Sequence, residues 1–264
     1  MVIIKQLLVI FGLTAGAFFA VLVHADESED VGWSYEITVG VGREPTYVGS
    51  DRYQTEAGGD FEIRYQTEQG TQYFLGLGEV GVYFETDNDW GIGAVLEYEE
   101  GRDNSKDPIL SGFPEVRDTV EGQFTLIKEI GDWTVSGVFQ PDILDRGKGL
   151  VYFVALGYET DLNSRLSVST ALDISFADAE HMNTEVGITK EASIASGLNV
   201  YNAGSGYKST TFGVNLEYAI SEQWTLVTEM EAEFYGSNIS DSPLVRDEGN
   251  DVNYNAGLSL EYSF

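Results

Sequence analysis

The sequence predicts an all-β protein: a transmembrane antiparallel β-barrel of twelve strands, with short periplasmic turns and long extracellular loops. The segment from Val252 to Phe264 alternates apolar or aromatic residues with polar or small ones along its whole length. A strand turns successive side chains to opposite faces, so this segment has one apolar and one polar face. About 9 to 11 tilted residues cross a bilayer as a strand, so the segment is long enough to span. Similar alternation recurs through the chain. The connections between these segments are short and long in alternation, as in outer-membrane barrels.

Each predicted strand is a run in which every second residue is apolar. An even number of strands agrees with an antiparallel barrel whose two termini lie on one side of the membrane. The break between the third and fourth strands, near Gly78, is the least marked, and without it the count falls to ten or eleven. The apolar faces begin, in chain order, at Trp33, Phe61, Tyr73, Val80, Trp90, Val120, Trp133, Leu150, Leu166, Phe212, Trp224 and Val252.

The lengths of the connections predict how the barrel is oriented. Tight polar turns are expected at residues 68–70, 87–89, 131–132, 163–164 and 221–222. Long loops are expected at 43–59, 100–117, 141–148, 177–209 and 236–251. Outer-membrane barrels keep short turns on the periplasmic side and long loops outside, so the same arrangement is expected here.

Residues 1–25 have the features of a secretory signal peptide. Lys5 is the only charged residue among them, an apolar stretch follows at 7–23, and small residues precede a cut after Ala25. The barrel domain is then 26–264. The alternative is an N-terminal membrane anchor, for which the apolar stretch is short.

Composition excludes several classes of protein. The chain has a formal net charge of −30, and removing Lys5 with the signal peptide leaves −31. So acidic a protein is not expected to bind nucleic acid. It contains no cysteine, so neither disulfides nor thiolate metal sites contribute to its stability. The hydrophobic fraction of 42% resembles that of a soluble protein, but barrels dilute each lipid-facing residue with a lumen-facing one.

Aromatic residues cluster at one end of the predicted strands. Three of the four tryptophans come directly after short turns, and tyrosine or phenylalanine occupies matching strand ends. Such rings favour the boundary between lipid and water, which predicts a periplasmic girdle in contact with outer-membrane lipid. The girdle is assigned to Trp90, Trp133, Trp224, Tyr262 and Phe264.

The polar faces of the strands carry many carboxylates. With the apolar residues outward, these would line the lumen and favour passage of cations over anions. The alternative is that lumen positions are simply polar in a protein that is acidic everywhere. Arg64 and Arg165 are among the few cations expected to point inward. The acidic lining is assigned to Glu97, Glu99, Glu217, Glu229, Glu231 and Glu233.

No catalytic, cofactor or metal site is predicted. His181 is the only histidine after residue 25, and neither a Ser-His-Asp arrangement nor an Asp/His pair is recognisable around it. It is interpreted as a solvated loop residue. The loop acids Asp241, Asp247, Glu248 and Asp251 lack the fixed spacing of a known calcium loop.

The loops carry five ordered blocks that resemble one family of membrane proteins. In the first loop, Pro45, Tyr47, Gly49 and Ser50 are similar to the P-x-Y-x-G-S signature of the MipA/OmpV family. The other blocks are Gly101-Arg102-Asp103 with Leu110-Ser111-Gly112 and Val116; Ala177-Asp178, Met182 and Val186-Gly187-Ile188-Thr189; Ala195-Ser196-Gly197-Leu198, Tyr201 and Ala203-Gly204-Ser205-Gly206; and Asp241-Ser242-Pro243-Leu244-Val245 with Gly249.

This resemblance implies a barrel in the outer membrane of a Gram-negative-type cell, without a known catalytic site. The family's best-known member is described as a scaffold joining a lytic transglycosylase to a bifunctional peptidoglycan synthase, so both enzymes are expected partners. Two alternatives stay open: a small cation-preferring channel, and an adhesin acting through the loops. The unusual acidity of this chain is a departure from the family.

Overall fold

A computed structural model describes residues 31–86 and 89–264. The predicted signal peptide lies outside the described residues. Twelve strands form one closed barrel in which each strand pairs antiparallel with its neighbours in sequence and β1 pairs with β12. The predicted fold class is confirmed. The strands are β1 Gly32–Pro45, β2 Tyr53–Gln66, β3 Thr71–Leu75, β4 Glu79–Thr86, β5 Trp90–Glu99, β6 Thr119–Ile130, β7 Trp133–Pro141, β8 Leu150–Asn163, β9 Leu166–Ala177, β10 Gly206–Ala219, β11 Trp224–Tyr235 and β12 Val252–Ser263.

The barrel is apolar outside and polar inside. On β12, Tyr254 is 60% exposed whereas its neighbour Asn253 is 1% exposed. In a soluble protein the apolar face would be buried, and here it forms the outer wall. A closed barrel also pairs the backbone groups of its edge strands, as a bilayer requires. Among the described residues, no helix has the length and apolar character needed to cross a membrane.

The break near Gly78 separates two strands. Residues 76–78 form a tight reversal in which the Gly76 amide donates to the Glu79 carbonyl at 3.0 Å. Gly78 has a φ of 105°, in the left-handed region that favours glycine. The chain therefore turns there, and the count of twelve strands holds.

The first long loop is shorter than predicted. β1 runs to Pro45 and β2 begins at Tyr53, so the connection is 46–52 and not 43–59. Glu44 pairs with Gln54 and Pro45 with Tyr53, which extends this hairpin above the apolar band. The extension carries polar residues such as Glu44, Gln54 and Glu56, so an alternation of apolar residues does not mark it.

The five longer connections at the outer end pack against one another. We call residues 46–52, 100–118, 142–149, 178–205 and 236–251 the loop cap. It contains α1 Ala179–Val186, α2 Lys190–Ser196, α3 Ser237–Ser240, α4 Pro243–Arg246 and two short 3₁₀ helices, Asn104–Lys106 and Pro108–Leu110. Asp178 and Thr189 accept hydrogen bonds from the first turns of α1 and α2, which fixes where these helices begin.

Apolar residues of the loop cap form two small cores. One joins Tyr47, Leu110, Ile188 and Leu244, from four different loops. The other joins loop residues such as Met182 to Val151 and Ala177, on the inner faces of β8 and β9. The loop cap is therefore attached to the barrel wall from inside, and it covers part of the outer mouth.

Candidate functional site

The predicted acidic residues lie on the inner face of the barrel. Glu231 and Glu233 are buried on β11, and Glu233 accepts hydrogen bonds from Ser209 at 2.6 Å and Lys208 at 3.1 Å. Asn255 donates to Glu231 at 3.2 Å. Glu97, Glu99, Glu217 and Glu229 are half-buried on the same face.

These carboxylates do not form one ring. Glu99 and Glu233 are near the outer ends of their strands, Glu229 is nearer the middle, and Glu217 is near the inner end of β10. They line a path along the length of the lumen. Whether that path selects cations stays a prediction.

The aromatic residues assigned to the girdle lie at the inner ends of their strands, that is, at the end of the barrel opposite the loop cap. Trp90, Trp133, Trp224 and Phe264 are exposed on the outer face, and Tyr262 is half-buried beside them. The rings of Trp224 and Tyr262 lie 4.7 Å apart, and those of Tyr262 and Phe264 5.5 Å. Contact of these rings with the lipid boundary remains a prediction.

The cations of the interior differ from those predicted. Arg64 is inward and paired with Glu62, as expected, but Arg165 is exposed in the turn between β8 and β9. Lys148 and Lys208, which the sequence analysis left in loops, are the inward cations at the outer end. Lys148 contacts Glu99 at 2.9 Å, and Lys208 contacts Glu233 at 3.1 Å.

Lys208 points inward because of a β-bulge. The register of β10 against β9 shifts between Tyr207 and Ser209, so Lys208 is an extra residue in the ladder. Without the bulge, alternation from Phe212 would turn position 208 outward; with it, Lys208 is only 3% exposed. A repeating apolar pattern cannot reveal such a shift, because only residues 206–208 of β10 lie beyond it, too few to show a period of their own.

The interpretation of His181 as a solvated residue is wrong. His181 is 9% exposed on α1, and its Nδ1 lies 2.9 Å from the Lys148 carbonyl oxygen. Burial lowers its pKa, and no described residue hydrogen-bonds to its Nε2. The prediction failed because the burial of a loop residue depends on how distant loops pack, which local polarity does not report.

A cavity of about 190 Å³ lies beneath the loop cap. Its charged and titratable lining residues include His181, Arg102, Lys148, Glu185 and Lys208, with Glu99 and Glu121 near the outer ends of their strands. Its apolar lining residues are Pro45, Tyr47, Val48, Val116 and Val151.

Arg102 holds one wall of this cavity. Its guanidinium donates to the Thr184 and Glu185 carbonyls at 3.0 and 2.9 Å, and to the Asn104 side chain at 3.1 Å. Burial lowers the pKa of Arg102. For Glu185, burial alone would raise the pKa, but nearby cationic groups, Arg102, Lys148 and Lys208 among them, outweigh burial and lower the pKa.

The loop acids considered for calcium do not converge. Asp247 is paired with Arg246 at 2.8 Å, on the exposed side of the loop cap. Within residues 31–86 and 89–264, no cluster of three or more His, Asp or Glu side chains has the geometry of a metal site.

A closed barrel with an apolar outer wall and a polar lumen defines an outer-membrane β-barrel protein. A solved outer-membrane channel from Pseudomonas putida F1 has a similar fold, with a TM-score of 0.52 at 12% identity over 92% of this chain and 100% of that one. This likeness shows the fold alone.

The family follows from sequence comparison. The model of the MltA-interacting protein MipA family matches residues 37–264, and the chain belongs to this family. Outer membrane protein OmpV of Vibrio cholerae is 28% identical over 172 residues, and outer membrane protein Omp26La of Vibrio anguillarum is 26% identical over 172. Each match covers 65% of this chain and 63% of the relative's length. The protein is located in the outer membrane.

Proposed function

We propose that this protein is a non-enzymatic scaffold that holds a lytic transglycosylase of the MltA type against the inner face of the outer membrane. The observation that carries the proposal is the match to the MltA-interacting protein family over residues 37–264. A bifunctional peptidoglycan synthase is proposed as a second partner on the same scaffold. The alternation of apolar and polar residues along the strands predicts the barrel, but it does not identify a periplasmic partner.

The inner rim of the barrel supplies an accessible surface for such a partner. The loop cap occupies the outer end, whereas at the inner end the structure describes short turns and, within residues 31–86 and 89–264, no helix. Exposed carboxylates at this end belong to Glu68, Asp132 and Glu222 in the turns and to Asp161 near the end of β8. A partner with a basic surface would be attracted to this rim, and the attraction would weaken with added salt.

The test measures binding of a purified MltA-type lytic transglycosylase to the barrel in detergent micelles. The rim variant carries Glu68→Gln, Asp132→Asn and Glu222→Gln, and the matched control carries Asp51→Asn, Glu115→Gln and Glu180→Gln at exposed positions of the loop cap. We expect the rim variant to weaken binding about tenfold at low salt, with the control unchanged. Equal binding by both variants would exclude the rim, and no binding by the unaltered barrel would exclude the scaffold. The same assay with the synthase tests the second partner.

A channel for cations is the second candidate function, favoured by the acidic path along the lumen. Glu229, Glu231 and Glu233 follow one another on the inner face of β11, where charge would act on a passing ion. Replacing all three by glutamine should lower the cation preference of single channels in a planar bilayer. A barrel that passes no current under any condition would rule this function out.

A further inference from the structure

The cavity beneath the loop cap contains a buried hydrogen-bond acceptor without a partner. The Lys148 carbonyl can only accept a hydrogen bond, so the Nδ1 of His181 donates to it across 2.9 Å. In the neutral ring, Nε2 then carries a lone pair. This nitrogen is buried and no described residue donates to it. An acceptor left in that state lowers stability, so its presence indicates a ligand that donates.

Glu185 adds a second acceptor on the same wall. Its backbone carbonyl accepts from Arg102, but no residue of the described part donates a hydrogen bond to its carboxylate. His181 and Glu185 lie four residues apart on α1, so both face the cavity from one side of the helix. A ligand with two neighbouring donors could therefore contact both.

Three cations that line the cavity each lie near a carboxylate: Arg102 near Glu185, Lys148 near Glu99 and Lys208 near Glu233. Lys148 contacts Glu99 and also donates to the Glu100 carbonyl at 2.7 Å, and Lys208 is bound to Glu233. The carboxylate of Glu121 accepts from Gln140. A charged ligand would add an uncompensated charge to a partly desolvated site, which costs free energy. A neutral ligand is favoured.

Part of the cavity lining is apolar. Pro45, Tyr47 and Val48 contribute to it, together with Val116 and Val151. Tyr47 is held by hydrogen bonds from its hydroxyl to backbone carbonyls of the loop cap, so its ring is a fixed wall. A ring-shaped polyol presents C–H groups on one face and hydroxyl groups at its edge, which suits a lining that combines apolar and hydrogen-bonding side chains.

We propose that the cavity beneath the loop cap binds a small neutral polyhydroxylated molecule of about monosaccharide size, whose hydroxyls donate to the Nε2 of His181 and the carboxylate of Glu185. This site is at the opposite end of the barrel from the rim that carries the scaffold proposal, so the two stand or fall separately. Burial, which lowers the pKa of His181, keeps its ring neutral at neutral pH.

Titration calorimetry with three sugars of matched size tests the charge of the ligand. The probes are glucose, glucosamine and glucuronate, which are neutral, cationic and anionic at neutral pH. We expect saturable binding of glucose and weaker binding of both charged sugars. Tighter binding of either charged sugar, or no saturable binding of any of the three, would overturn the proposal.

Variants on α1 test the residues. Glu185→Gln removes the charge of the acceptor, and His181→Asn retains a side-chain amide for the Lys148 carbonyl but removes Nε2. Each should raise the Kd for glucose about tenfold, because each weakens or deletes a hydrogen bond made in a buried site. Glu180→Gln, exposed on the same helix, is the matched control and should leave the Kd unchanged. Folding is checked by the heat-dependent migration of the barrel on a gel. If both folded variants bind glucose as the unaltered barrel does, this site is excluded.

Discussion

Single polar side chains attach the loop cap to the barrel, and Asn253 is one of them. Its Oδ1 accepts from the Gly49 amide at 2.7 Å and its Nδ2 donates to the Ser50 carbonyl at 2.8 Å. Asn253→Ala should cost about 1–3 kcal/mol, because buried backbone groups lose their partners. Hydrogen exchange should rise in residues 46–52. Asn255→Ala is the control on the same strand, since its amide contacts Glu231 and not the loop; equal exchange in the two variants would contradict the assignment.

His181 should make the loop cap sensitive to acid. Burial lowers its folded-state pKa below the usual histidine value of 6.5, although Glu185 and Asp178 act in the opposite direction. A group with a depressed pKa stabilises the folded state above its unfolded pKa and loses this contribution as the pH falls. Protease cleavage within 178–205 should therefore increase below about pH 6.5, where an unfolded histidine becomes charged. Replacement by asparagine should remove this dependence near pH 6, and an unchanged pH profile would argue against it. Glu185, whose pKa is also lowered, adds loss of stability at more acid pH.

The strands could be predicted from the sequence because lipid imposes one requirement on every second residue. Val39 pairs with Leu260 and Ile37 with Tyr262, so neighbouring strands meet with their apolar residues on the same face. Outside the lipid-facing part of the barrel, the chain no longer needs an apolar residue at every second position. The extension of β1 to Pro45, the inward Lys208 and the buried His181 depend on a hairpin, a bulge and packing between loops. Long-range contacts decide these features, and neither charge nor periodicity encodes them locally.

The two faces of β9 provide a direct test of the lipid boundary. Leu172 is outward near the middle of the strand, paired with Leu156 and Phe212, whereas Ser169 is inward beside Glu159 and Asn215. Leu172→Arg should lower the free energy of unfolding into denaturant by about 2–4 kcal/mol if this position is near the bilayer midplane. Ser169→Arg places the same side chain among carboxylates and should have a much smaller effect. Refolding into lipid vesicles measures both, and equal losses would contradict the assignment of faces.

The acidic lumen and the loop cap over its outer mouth have opposite effects on the passage of cations through the whole molecule. Inward carboxylates favour cations, but a packed loop cap restricts their entry. The loop cap should therefore limit the conductance, and the effect of the inward carboxylates should be measurable only once the loop cap is loosened. Leu244 is fully buried among four loops, so Leu244→Asp should loosen the cap without altering the strands.

Planar-bilayer recordings separate these effects. Leu244→Asp should raise the conductance of single barrels, and the reversal potential in a salt gradient should then indicate a preference for cations. Ile194→Asp makes the same chemical change at a residue that is 87% exposed on α2, so it should leave the conductance unaltered. A rise in both variants would mean that added charge, and not release of the loop cap, increases the current. A rise in neither would mean that the lumen is closed below the cap, and the acidic residues would then serve the barrel's interior structure and not ion passage.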